Sequence, residues 1–267
     1  MKTLLAMFRI KLIAGFQYRA AAWAGVATQF FWGFMLIMIY EAFYKSADIT
    51  PAMSLDQMCR YIWLQQAFLH LTNMWMRDGE VLELITSGGV AYELCRPVDL
   101  YGMWYARFLG QRLAGAALRC VPVLVVAALL PYPYRMTLPP SFLHFTLFIL
   151  ALALAALLGV TLMLLVYIMT LKTLNFVGPA FVMTTLSDFF SGAIIALPFM
   201  PEPLRKIAYA LPFRYLADFP YRLYTGNIPL SEAFVSLGIS AAWLFALVLL
   251  GNLLMRRFLR HAVIQGG

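Results

Sequence analysis

Acidic and basic side chains are concentrated in one polar stretch, residues 77–101, of an otherwise apolar chain. Acid–base or metal chemistry would need its carboxylates, which include Asp78, Glu80, Glu83 and Glu93. No cluster of His, Cys, Asp and Glu has the spacing of metal ligands, and no Ser–His–Asp set lies in a strand–turn context. We therefore predict no catalytic residue and no metal site. We interpret the stretch as a surface through which another protein acts on this chain.

The local pattern of this stretch predicts a short helix that is followed by a sharp turn. Gly88 and Gly89 allow the turn, because glycine adopts backbone conformations that other residues avoid. Pro97 disfavours helix at Arg96, so a second break is expected there. The carboxylates would then form an acidic face, and Leu82, Leu84 and Ile85 would be available to a partner's groove. A solvated loop, whose charges only keep it out of lipid, is the alternative interpretation.

The composition of the chain indicates which solvent surrounds the rest of it. Of its 267 residues, 63% are hydrophobic and only 12% are charged, whereas soluble domains carry about 25% charged residues. The fold class that follows is an all-α polytopic membrane protein. The net charge of +8 is better explained by basic residues on the cytoplasmic side of spans than by nucleic-acid binding.

Apolar runs of about 20 residues predict six transmembrane helices. Their approximate bounds are 21–43, 57–75, 108–130, 142–170, 176–197 and 233–255. The distribution of Lys and Arg between the connecting segments favours cytoplasmic positions for both termini. Residues 1–20 predict an amphipathic helix in the headgroup layer, with Leu5, Phe8, Leu12 and Phe16 on its apolar face, or else a plain extension of the first span.

Several polar residues fall inside the predicted spans. The second span contains Arg60, Gln65, Gln66 and His70, too many polar groups for a lipid-facing helix, so it should face protein or a water-filled path. Arg119 and Asp188 lie in the third and fifth spans, where a charge costs about 2.5–3.5 kcal/mol. They form either a structural ion pair or part of a polar substrate path. For His70, a hydrogen-bonded packing role is the simpler interpretation.

The segment 198–229 breaks the apolar pattern with six prolines and predicts two short outer helices, too short to span. We interpret it as an interfacial or re-entrant segment. Candidate residues for an outer gate are Pro198, Pro212, Phe213 and Arg214. The basic side chains that would meet anionic headgroups or substrate are Arg205, Lys206, Arg214 and Arg222. A belt that anchors the span ends is the alternative.

The layout resembles the permease subunits of type-2 exporters (ABC-2 type) among the bacterial ATP-binding-cassette transporters. The family pattern Gly-x-apolar-x-x-x-Leu-x-Arg-Pro corresponds here to Gly89 through Pro97, with a gap one residue shorter. The outer region has the family's Phe-Ser-Gly at 190–192, Leu-Pro-Phe at 211–213 and Phe-Pro at 219–220, and residues 263–267 are similar to its usual ending. The resemblance covers the whole chain.

The resemblance implies six spans, a cytoplasmic coupling helix between spans two and three, and paired short helices between spans five and six. It also implies a location in the bacterial inner membrane, two copies of an ATP-binding subunit, and a second permease chain that is identical or a sister. The chain lacks the phosphate-binding loop Gly-x-x-x-x-Gly-Lys-Ser/Thr. It would therefore hold no cofactor of its own, because ATP and Mg would bind to the partner. Candidate coupling residues are Glu80, Glu83, Leu84, Glu93, Arg96 and Pro97.

A second functional hypothesis is a secondary transporter or channel that acts without ATP, with Asp188 and Arg119 carrying protons or ions. The lack of an internal repeat argues against it. A membrane-embedded enzyme or assembly factor is a third hypothesis, and the lack of a catalytic constellation argues against that one. Drug, lipid, peptide and polysaccharide all remain open as substrates.

Overall fold

The computed structural model describes residues 2–17, 19–46 and 51–261, and within these ranges the chain is helical, without strands. The similar ending at 263–267 lies outside the described residues. Two 3₁₀ turns, Leu197–Phe199 and Pro212–Tyr215, interrupt the outer region. The helices are α1 (Lys2–Gly15), α2 (Arg19–Ser46), α3 (Leu55–Ala67), α4 (Leu69–Thr72), α5 (Gly79–Thr86), α6 (Val90–Leu94), α7 (Leu100–Leu129), α8 (Phe142–Thr173), α9 (Val177–Phe190), α10 (Glu202–Ala210), α11 (Asp218–Tyr224) and α12 (Leu230–His261).

Four helices in the described residues are long and apolar enough to cross a membrane. The segments that qualify are Ala22–Ser46, Leu100–Leu129, Phe142–Thr173 and Leu230–Leu259. They correspond to the first, third, fourth and sixth predicted spans. Helix α7 begins at Leu100, before the predicted start of the third span near 108, and Asp99 caps it by accepting a hydrogen bond from the Gly102 N–H at 2.7 Å.

The second and fifth predicted spans form shorter helices. Between α3 and α4, Phe68 departs from helical geometry, and the helical run ends at Thr72, not near 75. The carbonyl of Leu71 is free of the helix ladder there and accepts a hydrogen bond from Arg112 Nη1 at 2.7 Å. Helix α9 has 14 residues and is therefore about 21 Å long, against about 30 Å for a hydrocarbon core.

The centre of the protein is α8, which packs against α7, α9, α11 and α12. Its central section is buried on all sides, which agrees with its nearly uninterrupted apolar sequence. Helix α3 is also enclosed: every residue from Met58 to Ala67 is buried, including Arg60, Gln65 and Gln66. This confirms that the polar second segment faces protein.

The N-terminal helix α1 lies along the first half of α7. Glycines of α7 permit the close approach: Gly102 faces the Leu4 side chain, and Gly110 faces the backbone of Phe8 and Leu12. Of the predicted apolar face, Phe8 and Leu12 are half-buried and Leu5 and Phe16 are exposed, so the last two remain available to lipid.

Candidate functional site

The polar stretch folds into two short helices joined by a tight turn. Asp78 caps α5 by accepting a hydrogen bond from the Val81 N–H at 3.1 Å. Val81 and Ile85, four residues apart, form the buried side of α5. Gly88 makes the turn with φ of +76°, a conformation that favours glycine. The predicted helix and turn are therefore confirmed, with α6 as an additional helical turn after Gly89.

A buried ion pair fixes the beginning of α5 to α7. Arg107 donates from Nε to Asp78 Oδ2 at 2.5 Å and from Nη2 to Oδ1 at 2.8 Å. Gln111 donates to the same Oδ2 at 2.7 Å, and the Asp78 N–H donates to the Tyr167 hydroxyl of α8 at 2.6 Å. The Arg107 and Asp78 side chains are only 8% and 3% exposed. A two-point, buried pair of this kind holds α5 in one orientation relative to α7 and α8.

Glu80 extends this ion pair to the N-terminal helix. Its Oε2 accepts from Arg107 Nη2 at 2.5 Å and from Lys11 Nζ of α1 at 2.9 Å. We call the four residues Lys11, Asp78, Glu80 and Arg107 the anchor network. The network joins α1, α5 and α7. A displacement of α5 would therefore be transmitted to α1 and α7.

The basic side chains of the anchor network lower the pKa values of its carboxyl groups. Burial alone would raise the pKa of Asp78, but the hydrogen bond and charge of Arg107 outweigh burial and hold that pKa below its ordinary value. The hydrogen bonds from Lys11 and then Arg107 lower the pKa of Glu80. Both groups are therefore charged at neutral pH.

Part of the expected acidic face is used inside the chain. Glu93 accepts a hydrogen bond from Trp104 Nε1 of α7 at 2.8 Å, which ties α6 to the same helix as α5. Asp78 and Glu80 belong to the anchor network. Of the four carboxylates in the predicted acidic face, Glu83 is the one on the exposed side without a hydrogen bond in the described residues.

The exposed side of the segment is a mixture of aromatic, apolar and charged groups. Tyr92 is 79% exposed and Leu94 is 40% exposed. The expectation that Ile85 is available to a partner is wrong, because Ile85 is buried against the membrane helices, and Leu84 is half-buried over Gly89. We define the docking surface by its exposed residues, Glu83, Tyr92, Leu94, Arg96 and Pro97.

Tyr92 was missed by reasoning from the sequence. The outward orientation of Tyr92 follows from helix geometry. In a helix whose Val90 faces inward and whose Glu93 faces Trp104, Tyr92 must face outward. The network partners Lys11 and Arg107 were also missed. They were assigned only as basic residues on the cytoplasmic side of spans.

The intramembrane charges have separate partners. Arg119 contacts the ring of His70 through Nη1. Asp188 accepts a hydrogen bond at 2.8 Å from the indole Nε1 of Trp75, a residue that the sequence did not single out. Arg119 and Asp188 therefore do not pair with each other within the chain.

The outer gate candidates are buried. Pro212, Phe213 and Arg214 have little or no exposed surface, and Pro198 is half-buried in its 3₁₀ turn. Arg214 lies over the ring of Tyr209 at 4.0 Å, with Glu232 Oε1 at 3.7 Å from Nη2.

Arg222 is enclosed in the same region. It donates to Asn227 Oδ1 at 2.7 Å, to the Tyr209 hydroxyl at 2.9 Å and to Asp218 Oδ2 at 3.4 Å. The expectation that Arg214 and Arg222 meet headgroups is therefore wrong, because aromatic rings and acids of the neighbouring helices enclose their side chains, while Arg214 Nε and Nη2 have no hydrogen-bond partner in the described residues. Two short helices, α10 and α11, are present in this segment.

Comparison with known proteins finds a family similarity over part of the chain. Residues 96–219 match the family model described as ABC-2 type transporter. The matched part begins at the docking surface and includes α7, α8, α9 and the outer turns up to Phe219. A search of curated proteins found no match. The match and the apolar helices together support a transmembrane transporter permease that is similar to the ABC-2 type transporter family over residues 96–219.

Proposed function

We propose that this permease is the membrane subunit of an ATP-driven exporter in a bacterial inner membrane. Two copies of a separate ATP-binding subunit would supply ATP and Mg, and a second permease, identical or a sister chain, would complete the path. Both termini would be cytoplasmic. The shorter α3–α4 and α9 segments would be the second and fifth of six crossings, completed by the non-helical residues next to them.

One observation carries this proposal: the docking surface is exposed, while its base is fixed to the membrane helices by buried bonds. A partner that pushes on Tyr92 and Leu94 moves α5 and α6 as one unit, because their bases are bonded to Arg107 and Trp104. A flexible loop would absorb such a push. The rigid attachment supports a role in passing force from a cytoplasmic motor to α7, α8 and α1.

The absence of a nucleotide-binding motif from the sequence is consistent with a separate motor. Gly-x-x-x-x-Gly-Lys-Ser/Thr does not occur in the chain. Transport of a substrate against its gradient would therefore require the partner. In this scheme, closure of the two ATP-binding subunits tilts α7 and α8 through the anchor network and opens the path outward.

The native cysteines allow a direct test of docking. Cys95 is exposed beside Arg96, whereas Cys59 is buried. In native membranes, a short thiol-to-amine cross-linker should join Cys95 to a protein that contains a phosphate-binding loop, and Cys95→Ser should abolish that product. Lys206→Cys in the Cys95→Ser background, an exposed position on α10, is the matched control and should give no such product. Efficient labelling of Cys95 without any ATP-binding protein in the product would contradict the proposal.

A further inference from the structure

Two arginines in the membrane part of α7 have no acidic partner. Arg112 and Arg119 are seven residues apart and so lie on the same face of the helix. In the described ranges, neither guanidinium group has a carboxylate within ion-pair distance. The region between α4 and α7 therefore carries uncompensated positive charge.

The two arginines differ in accessibility. Arg112 is 2% exposed, and its bond to the Leu71 carbonyl caps the broken helix, which gives it a structural role. Arg119 is only half-buried, and its Nε has no hydrogen-bond partner. Arg119 is therefore the cation of the pair that a ligand can reach.

The surroundings of Arg119 combine close packing against glycines with unused hydrogen-bonding capacity. Gly25 of α2 presents no side chain to it: a Cβ there would lie 2.6 Å from Arg119 Nε. Gly115 of α7 makes similar room for His70. One turn above Gly25, Gln29 is 4% exposed and its Oε1 has no partner. Arg119 contacts His70 of α4 and faces Gly25 of α2, which is one helical turn from Gln29, and we call Arg119, His70 and Gln29 the polar site.

The energetics of the bilayer favour an anionic occupant for the polar site. A lone arginine near the bilayer centre costs about 2.5–3.5 kcal/mol, and an opposite charge in this low-dielectric environment interacts strongly with it. A second copy of this chain has Asp188 within its predicted spans, but that carboxylate is already bonded to Trp75. An anion that comes from outside the permease is the remaining counter-charge.

We propose that the polar site binds the anionic head, phosphate or carboxylate, of an amphiphilic substrate whose apolar tail lies along α2 and α7. This inference rests on the proposed exporter function and narrows its substrate class. Arg119 supplies the charge, and His70 and Gln29 supply hydrogen bonds. A cationic amphiphile of the same tail length is rejected by the charges of Arg112 and Arg119.

Equilibrium binding tests this proposal without nucleotide or partner, so its failure is distinguishable from failure of the exporter function. The full chain in phosphatidylcholine nanodiscs would be titrated with a fluorescent dodecyl phosphate and with its trimethylammonium counterpart. We expect saturable binding of the phosphate alone and a loss of affinity of about tenfold or more in Arg119→Gln. Lys172→Gln, which removes an exposed cation near Phe258, should bind like the original chain.

A second variant protects the test against misfolding of the first. Gly25→Ala keeps every charge but places a methyl group against Arg119 Nε, so it should also weaken binding of the phosphate probe. Equal binding of the two probes, or unchanged affinity in both variants, would overturn the proposal. Addition of phosphatidylglycerol to the nanodiscs then separates the sources of the anion: competition with the probe indicates a lipid headgroup, and no competition indicates a free amphiphile.

Discussion

The inner segment 77–101 and the outer segment 198–229 look alike in the sequence but differ in the structure. Both interrupt apolar runs with prolines, charges and short helical patterns. In the inner segment, the buried ion pair lies at the base, and the tip exposes Tyr92 and Leu94. In the outer segment, the side chains of Arg214 and Arg222 are only 6% and 11% exposed. The inner segment thus exposes its tip, whereas the arginines of the outer segment lie in the core.

The difference lies in what surrounds the charges. Around the outer arginines, the aromatic rings of Tyr209 and Tyr215 cover the guanidinium group of Arg214, and Asp218 partners Arg222. In the inner segment, Val90 of α6 is buried and Glu93 faces α7, and Tyr92 and Leu94 of the same helix remain exposed. A charged stretch between spans therefore does not by itself indicate a solvated surface.

The largest expected effect is on the buried pair of the inner segment. Asp78→Ala leaves Arg107 buried without its main counter-charge, which should destabilise the protein by about 3–5 kcal/mol. Unfolding in mixed micelles, followed by circular dichroism, measures this. Asp99→Ala is a control that removes only a helix cap and should cost about 1 kcal/mol. Equal losses of stability in the two variants would show that the Asp78–Arg107 ion pair contributes no more than a helix cap.

A comparable loss is expected in the outer segment if its charges belong to the core. Arg222→Ala leaves Asp218, which is fully buried, without its ion-pair partner, and should also destabilise by about 3–5 kcal/mol. Arg205→Ala, on the neighbouring α10, should stay within about 0.5 kcal/mol. If Arg222→Ala is as stable as the original chain in the same unfolding assay, the outer arginines do not belong to the core.

A smaller and more specific effect is expected at the tip of the inner segment. Tyr92→Ala removes an exposed aromatic ring, so stability should change by less than about 0.5 kcal/mol. Binding of the ATP-binding subunit should weaken by about 2 kcal/mol if Tyr92 is a main contact. Glu83→Ala should weaken it less and also reduce stimulation of ATP hydrolysis. Titration of detergent-solubilised variants with the purified subunit measures this, and unaltered affinity in both would remove these residues from the docking surface.

The smallest effect is expected at the exposed end of the anchor network. Glu80 is 69% exposed, so Lys11→Ala should cost only about 0–1 kcal/mol. Because Lys11 and Arg107 lower the pKa of Glu80, its contribution is present above the ordinary carboxyl pKa of about 4.3. The contribution is lost as the pH falls through the lower folded pKa. The pH dependence of stability between pH 8 and 6 should therefore be the same in the original chain and in Glu80→Gln. A divergence in that range would contradict the assignment.

The sequence predicts the features of this structure that neighbouring residues determine, but not those that depend on tertiary contacts. The location of the inner segment follows from its charges and from Gly88 and Gly89, and α10 and α11 follow from the prolines around them. The buried ion pair of Asp78 and Arg107 does not follow from the sequence. The two residues are 29 residues apart and meet only because α7 begins eight residues before the apolar run. Burial of Arg214 likewise depends on the position of α12, which supplies Glu232. Such tertiary contacts have no signature in a single sequence.

The role of the anchor network as a mechanical link is the central claim, and coupling in the assembled complex tests it most directly. Arg107→Gln would be reconstituted in vesicles with the ATP-binding subunit, and subunit binding, ATP hydrolysis and substrate export would be measured together. We predict that the subunit still binds, because the docking surface remains, and that hydrolysis continues while export per ATP falls at least tenfold. Export per ATP equal to that of the original chain, in a correctly folded variant, would contradict the claim.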